Sequence, residues 1–467
     1  MSSQFRPEPG SFRDPSGRVF HASGKVYRAL DQRGLTDFRA LESTGLLGAL
    51  IGEGNVVATR LLAEEEASAL DPPEGRAGIL EHEAIPFLSY PFEWTFSMLR
   101  AAALLQLDIL ERALAAGLTL KDATPYNIQF RGARPVFIDV GSFQRLGAGE
   151  PWVGYRQFCR QFLYPLMMRA HLGIPFQPWL RGDPEGPSAA DISAMMSGRD
   201  LLRSGVAMHV SLQARAERRF QGDAVRDDLR RAGFSTEMIL ANVRGLRKVV
   251  EGLAWEPPSS EWSEYAEDCQ HVAAHRATKE TFLRAAIDRV GPGRVLDLGA
   301  NDGFFSRAAA ESCEVVVAAD ADELVLDRLF ESLAAAGSDR VQPLLVDLSN
   351  PSPRMGWRGQ ERSALAERAR PDLVVAYAVI HHLVVGRSVP LAEVVGWLAD
   401  FGCPVVLEWV GPEDPMARRL AANKRPEEIH LDYREWGLSP LVEEQFVVQR
   451  EEPLPGGTRA LLLLIPR

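Results

Sequence analysis

Apolar and polar positions follow two different patterns, and the change falls near residue 255. In the second half, short apolar runs alternate with helical patterns such as FFSRAAAESC and ADELVLDRLFESLAAAG. The runs are GRVLDLGA, EVVVAAD, VQPLLVD, DLVVAYA, PVVLEWV and RALLLLIP. Buried apolar strands separated by helices predict a parallel sheet that is covered on both faces, an α/β Rossmann-like domain.

The first half has a mixed pattern that predicts an α+β domain. RVF-HASG-KVYRAL predicts a hairpin, and NVVATRLL and AGILEHEAIPFLSY predict strands. Helical spacing extends over Phe38–Leu50 and again over Phe96–Leu118. The loop LKDATPYN and the strand PVFIDVGSF follow, and the remainder to about Leu253 has helical patterns.

Between the halves, WEPPSSEWSEYAED combines adjacent prolines, adjacent serines and several acids, which is typical of a linker. We therefore predict a first domain over residues 1–253, a linker over 254–277 and a second domain over 278–467. The length of 467 residues fits this division.

Charge and cysteine content narrow the function classes. The net charge of −11 disfavours a bulk nucleic-acid partner, and the basic run Arg215–Phe220 is more typical of a solvated helix face. The 4 cysteines lack CxxC spacing, so we predict neither a metal site nor a disulfide framework. The polar N-terminus and the lack of long apolar runs predict no signal peptide, no membrane span and a cytoplasmic location.

Candidate chemistry begins at VLDLGANDGFFS, residues 295–306. A strand ends at Asp297, and Gly299 and Gly303 allow a ligand to approach the backbone of the following turn. Asp320 ends the next strand, near the offset of about 20 residues at which an acid accepts hydrogen bonds from ribose hydroxyls. Asp347 ends a third strand, and the fourth ends at Ala378.

Val295–Leu383 resembles the S-adenosylmethionine (SAM)-binding half of class I SAM-dependent methyltransferases. The resemblance implies that the glycine turn holds the methionine and ribose side of SAM, that Asp320 holds the ribose diol, and that Asp347 holds the adenine amine. The spelling GANDGFF is similar to the GANxG variant of FkbM-type and NoeA-like O-methyltransferases. The implied SAM-binding residues are Asp297, Gly299, Ala300, Asn301, Gly303, Asp320, Ala321, Asp347, Leu348 and Ala378.

The rival interpretation is a nucleotide-binding dehydrogenase. That class requires G-x-G-x-x-G, whereas Asn301 stands two positions after Gly299 and an acid precedes the turn. Both departures favour SAM over a dinucleotide.

Three residues are candidates for catalysis on the acceptor side. His381 and His382 follow the fourth strand, where a histidine can serve as a general base for an oxygen acceptor or can line the methionine pocket. Glu408 ends the fifth strand and points towards the same rim. Lys279, in the helix before the first strand, could meet the SAM carboxylate or be exposed.

In the first half, the segment KDATPYNIQFRGARPVFIDVG places Asp122, Asn127 and Asp139 at the spacing of the kinase catalytic loop and its metal-binding aspartate. This block resembles protein kinases and aminoglycoside phosphotransferases, which implies an ATP–magnesium site. It departs from them in lacking a glycine-rich loop and a clear strand lysine, for which Lys25 and Arg28 are candidates, with Glu42 as a helix partner. A degenerate scaffold, an active phosphotransferase and a chance likeness all stay open.

The sequence thus predicts a SAM-dependent methyltransferase that acts on oxygen of a small molecule, sugar or glycan. The kinase-like domain would bind or orient the acceptor. The alternatives are a bifunctional kinase–methyltransferase and a non-catalytic protein that senses SAM and binds a partner.

Overall fold

The computed structural model describes residues 6–70, 75–215, 233–257 and 270–467, and the chain divides into two compact units. The first unit comprises Met1–Phe130, Pro135–Pro257 and Gly356–Arg362, and the second comprises Arg131–Arg134, Pro258–Met355 and Ser363–Arg467. The division at Pro257 falls within the predicted linker, but a helix already begins at Gln270, so the end of that linker is helical. The basic run after Arg215 lies outside the described residues.

The N-terminal part of the first unit is an antiparallel sheet of five strands in the order β1-β2-β3-β5-β4. The predicted hairpin is present, with its turn at Ser23 and Gly24. Its strands are β1 (Arg6–Pro7), β2 (Gly17–Ala22), β3 (Lys25–Leu30), β4 (Thr59–Leu61) and β5 (Gly78–His82).

Two helices replace the one predicted over Phe38–Leu50. They are α1 (Gln32–Ser43) and α2 (Leu46–Gly52), and they are separated at Gly45, whose φ of 72° is left-handed. The apolar spacing continues across this break, which is why the sequence suggested one helix. Asp31 caps α1 by accepting a hydrogen bond from the Gly34 amide at 2.7 Å. A short helix, α3, covers Glu64–Ser68.

A long buried helix organises the rest of the first unit. It is α4 (Phe96–Ala115), which Thr95 caps. The helix begins where predicted but ends at Ala115 and not at Leu118, because Gly117 has a left-handed φ of 75° and Leu118 begins a strand. Two short strand pairs follow it, β6 with β9 and β7 with β8. These strands are β6 (Leu118–Leu120), β7 (Ile128–Arg131), β8 (Arg134–Phe137) and β9 (Phe143–Arg145).

The remainder of this unit is helical, in agreement with the pattern. A helix over residues 155–172 contains two π-helical turns, and another π-helical turn covers Ala207–Leu212. The regular segments are α5 (Tyr155–Phe158), α6 (Tyr164–Met167), α7 (Gln177–Gly182), α8 (Ala189–Met195) and α9 (Thr236–Glu251).

The second unit is built on a sheet of seven strands in the order β12-β11-β10-β13-β14-β16-β15. The first five are parallel, while β16 is antiparallel to both neighbours. The strands are β10 (Arg294–Leu298), β11 (Val315–Asp320), β12 (Val341–Leu345), β13 (Leu373–Ala376), β14 (Val405–Val410), β15 (Phe446–Pro453) and β16 (Arg459–Pro466).

Helices connect most of these strands, while β15 and β16 are joined by a turn, so the unit has the predicted α/β Rossmann-like fold. The helices are α10 (Gln270–Val290), α11 (Phe304–Ala310), α12 (Glu323–Ala335), α13 (Leu365–Ala369), α14 (Leu391–Ala399), α15 (Pro415–Ala421) and α16 (Ser439–Gln445). The strand order reverses between β10 and β13, and ligands of open α/β sheets bind at such a switch point. Over the part of the chain that the structure describes, no helix has the length and apolar character needed to span a membrane.

Candidate functional site

The glycine turn of the second unit joins β10 to α11 in a conformation that favours glycine. Gly299 and Gly303 both have φ values of 74°, and Asn301 between them has φ of 49°. A Cβ at Gly299 would lie 2.7 Å from Val379 Cγ2, and one at Gly303 would lie 2.6 Å from Leu329 Cδ1. A larger residue at either position would therefore displace packed side chains as well as strain the backbone.

Asp320, at the end of β11, fixes this turn. Its Oδ2 accepts a hydrogen bond from the Asn301 amide at 2.8 Å, and its Oδ1 accepts one from the Asp322 amide at 2.9 Å. The amides of Gly299 and Ala300 donate to the Ala319 carbonyl. Each oxygen of a carboxylate has more than one acceptor position, so Asp320 can hold the turn and still accept hydrogen bonds from a ligand.

Asp297 lies beneath the turn and is 3% exposed. Burial raises the pKa of its carboxyl to about 7, and the nearby Asp320 and Asp302 act in the same direction, while the Ser306 hydroxyl opposes them. Ser306 Oγ donates to Asp297 Oδ2 at 2.6 Å. Asp297 thus links the end of β10 to the first turn of α11.

Asp347 and Leu348 follow β12, and Ala321 follows β11, at the same edge of the sheet. The Ser349 amide and hydroxyl donate to Asp347 Oδ1 at 2.9 and 2.6 Å. Arg387 Nη2 lies 3.4 Å from Asp347 Oδ2, and both side chains are substantially exposed. Asp347 therefore stands at the surface with an oxygen accessible to a ligand.

The chain after β13 bends sharply at Ala378, whose φ of 54° is rare for a residue other than glycine. His381 and His382 follow, with ring centroids 4.1 Å apart. Burial lowers the pKa of His381 to about 2 and that of His382 to about 4, assisted in both by the charge of Arg459. His381 is 1% exposed, whereas His382 is only partly buried.

Glu408 is fully buried between two cations, and it does not end its strand as predicted, because β14 continues for two more residues to Val410. Lys279 Nζ lies 2.7 Å from Glu408 Oε2, and Arg459 Nη1 lies 3.2 Å from Glu408 Oε1. Arg459 also donates to both oxygens of Asp414, at 2.7 and 2.9 Å. Lys279 is thus not an exposed lysine, and both Glu408 oxygens face a cation.

Sequence reasoning overlooked three members of this cluster. Arg459 and Asp414 form the charged network around Glu408, and the Tyr377 hydroxyl donates to the Lys279 carbonyl at 2.9 Å. Arg459 had one visible signal, since it is a charged residue at the head of the apolar run RALLLLIP. The other two carry no motif.

The residues at this edge fit SAM. The turn from Gly299 to Gly303 has a glycine at each end, and an acid stands at the carboxyl end of each of three adjacent parallel strands. Asp297 is the next-to-last residue of β10, Asp320 is the last of β11, and Asp347 comes two residues after β12. The structure thus brings the predicted residues of the cofactor set to one edge. Their individual roles stay predictions.

In the first unit, Asp122, Asn127 and Asp139 lie on two connected loops. The Lys121 and Asp122 amides donate to Ser142, just after Asp139, and the Ile138 amide donates to the Asn127 carbonyl at 2.8 Å. Partial burial and the neighbouring Asp139 carboxylate raise the pKa of Asp122. The structure thus brings the three residues into one neighbourhood.

The two candidates for the strand lysine of a kinase, Arg28 and Lys25, form ion pairs with different carboxylates. Arg28 Nη2, from β3, lies 2.7 Å from Asp139 Oδ1. Lys25 instead pairs with Glu81 at 2.9 Å, and Glu42 is exposed. Within the described residues, no group of three His, Cys, Asp or Glu side chains could hold a metal ion. The kinase-like fold stays a prediction.

Known proteins match this chain over part of its length in structure and over nearly all of it in sequence. No protein-family model matches it. Two methyltransferases of known structure align with part of the chain. NodS, an N-methyltransferase from Bradyrhizobium japonicum WM9, is 14% identical, with a TM-score of 0.31, over 42% of this chain and 98% of its own. The magnesium protoporphyrin IX methyltransferase ChlM from Synechocystis PCC 6803, with bound SAH, is 14% identical, with a TM-score of 0.29, over 42% and 84%.

A full-length match comes from sequence. The nodulation protein NoeA of Rhizobium meliloti (strain 1021) is 34% identical over 457 residues, which cover 97% of this chain and 94% of NoeA. Both units described above fall within that alignment, because it leaves almost no part of the chain out. The chain therefore belongs to the family of the nodulation protein NoeA.

Proposed function

We propose that the chain is a SAM-dependent methyltransferase whose second unit binds SAM and whose acceptor is an oxygen of a small molecule, sugar or glycan. The observation that carries the proposal is the Asp320 carboxylate, which holds the left-handed turn from Gly299 to Gly303 at the switch point of the sheet. When bound, SAM supplies an electrophilic methyl group.

The chain's own residues divide the remaining tasks. Asp320 accepts hydrogen bonds from the ribose hydroxyls, and Asp347 accepts one from the adenine amine. The turn with Ala300 and Asn301 surrounds the methionine side of SAM. Lys279 is held by Glu408 of β14 and lies beside Tyr377, the residue after β13, and its ammonium suits the SAM carboxylate. Rigid positioning of donor and acceptor accounts for much of the rate in group transfer.

Among the three candidate bases, we favour His382. A histidine with a pKa of about 4 is neutral at pH 7, which is the form that can take up a proton, and His382 is only partly buried. His381 is nearly inaccessible, and both oxygens of Glu408 already contact cations. These two residues therefore position the site, and His382 receives the acceptor's proton.

Calorimetry with SAM on the full chain tests the cofactor assignment. Asp320→Asn replaces a carboxylate oxygen, which accepts hydrogen bonds from the turn and from SAM, with an amide nitrogen that donates them. We therefore expect SAM affinity to fall by about tenfold to a hundredfold. Asp302→Asn is the matched control, because Asp302 is in the same turn but pairs with Arg276 at 2.7 Å. Equal affinities for both variants and wild type would refute the site, and the absence of any SAM heat would refute the function.

Turnover separates an enzyme from a SAM sensor. Incubation with metabolite or glycan extracts and labelled SAM gives labelled product if the chain is an enzyme and none if it only senses SAM. We expect His382→Gln to bind SAM as wild type does and to label the product about a hundredfold more slowly. Undiminished labelling by this variant would remove His382 from the mechanism without touching the SAM assignment.

The first unit is proposed to bind or orient the acceptor. The sequence alignment with NoeA spans this unit as well as the second, which supports a joint role of the two units. The alternative of a phosphotransferase requires Asp122, Asn127 and Asp139 to hold a nucleotide and its metal.

A further inference from the structure

The kinase-like segment of the first unit implies a nucleotide–magnesium site, and the residues there can be tested against that requirement. Magnesium takes oxygen ligands in near-octahedral geometry and bridges them to phosphates. The carboxylate that follows the β7–β8 pair, Asp139, must therefore have its oxygens free to face the ion. The catalytic-loop asparagine, Asn127, must offer a second ligand.

A guanidinium already stands against that carboxylate. Arg28 Nη2 lies 2.7 Å from Asp139 Oδ1, and the two side chains are only 13% and 19% exposed. Arg28 comes from the middle of β3, between β2 and β5, so its backbone is fixed by hydrogen bonds on both sides. Removing one partner of a partly buried pair costs more than removing one of a surface pair, because the other charge is left buried and uncompensated.

The turn after Asp139 is shaped around the guanidinium. A Cβ at Gly141 would lie 2.3 Å from Arg28 Nη1 and 3.4 Å from Asp139 Oδ1. The glycine of the Asp-x-Gly sequence therefore makes room for the arginine in this chain. The pair is a built element of the loop and not a chance surface contact.

The other buried polar atoms near this pair include two unsatisfied donors. Arg28 Nε and Asn127 Nδ2 are buried without hydrogen-bond partners, whereas a cation needs acceptors. Asp139 Oδ1 also makes no hydrogen bond of good geometry, so its 2.7 Å contact with Arg28 Nη2 is an ion pair. Where kinases place a glycine-rich backbone, the segment between β1 and β2 carries Asp14, whose charge is felt by Asp122.

We propose that the Arg28 guanidinium replaces the divalent cation as the counter-ion of Asp139, so that the two loops carrying Asp122, Asn127 and Asp139 are held together without metal and without nucleotide. The spacing of Asp122, Asn127 and Asp139 then serves to fix two loops and not to transfer phosphate.

Manganese, with and without ATP, is the probe for the full chain, followed by its paramagnetic signal. We expect wild type to show no Mn²⁺ binding that depends on Asp139, so that Asp139→Asn leaves its signal unchanged. Arg28→Gln keeps a hydrogen-bond donor but removes the charge, which leaves the neighbouring carboxylates Asp139 and Asp122 without that counter-ion. We therefore expect this variant to gain Mn²⁺ binding at concentrations at which wild type shows none. That gain should be lost again when Asp139→Asn is added. Lys25→Ala, on the same strand but paired with Glu81, should gain nothing.

Two results would overturn the proposal. One is Mn²⁺–ATP binding by wild type that Asp139→Asn removes. The other is a folded Arg28→Gln variant that gains no Mn²⁺ affinity.

Thermal unfolding gives a test that does not depend on the Arg28 variants. In an empty metal site, replacing one of two neighbouring carboxylates relieves repulsion and raises the melting temperature. In an arginine-paired site the same change removes the partner of a buried cation and lowers it. We expect Asp139→Asn to lower the melting temperature, and an increase would contradict the pair.

Discussion

At the scale of single residues, Asp297 couples the SAM edge to pH. Its folded-state pKa of about 7 lies above the ordinary value of 3.8, because burial favours the neutral acid. A raised folded pKa gives stability that is fully present below the unfolded pKa and is lost as pH rises through the folded value. Ionisation of Asp297 should therefore lower the free energy of unfolding of the second unit more at pH 8 than at pH 5.

The prediction concerns Asp297→Asn, which imitates the neutral acid and keeps an oxygen acceptor for Ser306. Relative to wild type, the variant should be more stable at pH 8 than at pH 5 by on the order of 2 kcal/mol. Hydrogen exchange of the β10 amides at the two pH values measures this difference in the full chain. Asp302→Asn, with the same charge change at an exposed carboxylate, should show little of it. An equal effect of Asp297→Asn at both values would contradict the assignment.

Residues whose chemistry and position are local were predictable from the sequence. Asp297, Gly299, Gly303 and Asp320 belong to strand ends and a turn that follow one another directly, so their pattern is visible in the printed chain. The pairing of Arg28 with Asp139 was not, because it depends on which face of β3 is directed at a distant loop. Periodicity says that a residue is on a face, but not what lies opposite.

At the scale of elements, β16 matters because it brings Arg459 to the end of β14. Arg459 pairs with Val410 across the two strands, and its side chain reaches Glu408 and both oxygens of Asp414. Its position keeps two buried carboxylates compensated. One guanidinium thus ties the loop after β14 to the antiparallel strand.

Arg459→Ala should lower the stability of the second unit by about 3–5 kcal/mol, because it leaves Glu408 with one cation and Asp414 with none. Arg459→Lys, which cannot bind Asp414 through two nitrogens, should fall between that variant and wild type. Urea unfolding with hydrogen exchange of β16 as the probe measures both.

Arg418→Ala provides the matched control, since Arg418 pairs with Glu413 and both side chains are exposed. Its cost should stay below about 1 kcal/mol. If Arg459→Ala cost no more than this control, the buried cluster would have no structural role.

The elements that the sequence missed have weak patterns. The strand β15, FVVQREEP, is largely exposed at the edge of the sheet, so it lacks the buried apolar run by which its neighbours were found. The break at Gly45 escaped notice because apolar spacing continues on both sides of it. Edge strands and glycine breaks are decided by neighbours and backbone conformation, which hydrophobic patterns do not report.

At the scale of the whole molecule, the domain bounds predicted from the change of pattern near residue 255 stay a prediction, and the structure divides the chain into two compact units. The structure adds exchanges that no linear pattern could reveal, because Gly356–Arg362 groups with the first unit and Arg131–Arg134 with the second. The cytoplasmic location stays a prediction. The acceptor could not be read from the sequence, since no motif describes the residues that would contact it.

The position of β16 has a consequence for how the protein is made. It is the last strand to be synthesised among the described elements, yet it lies inside the sheet, between β14 and β15. Until it leaves the ribosome, Glu408 and Asp414 have no Arg459, and β14 has an unpaired edge. The second unit therefore completes its sheet only after translation has passed this strand, whereas every described element of the five-stranded sheet in the first unit has emerged long before.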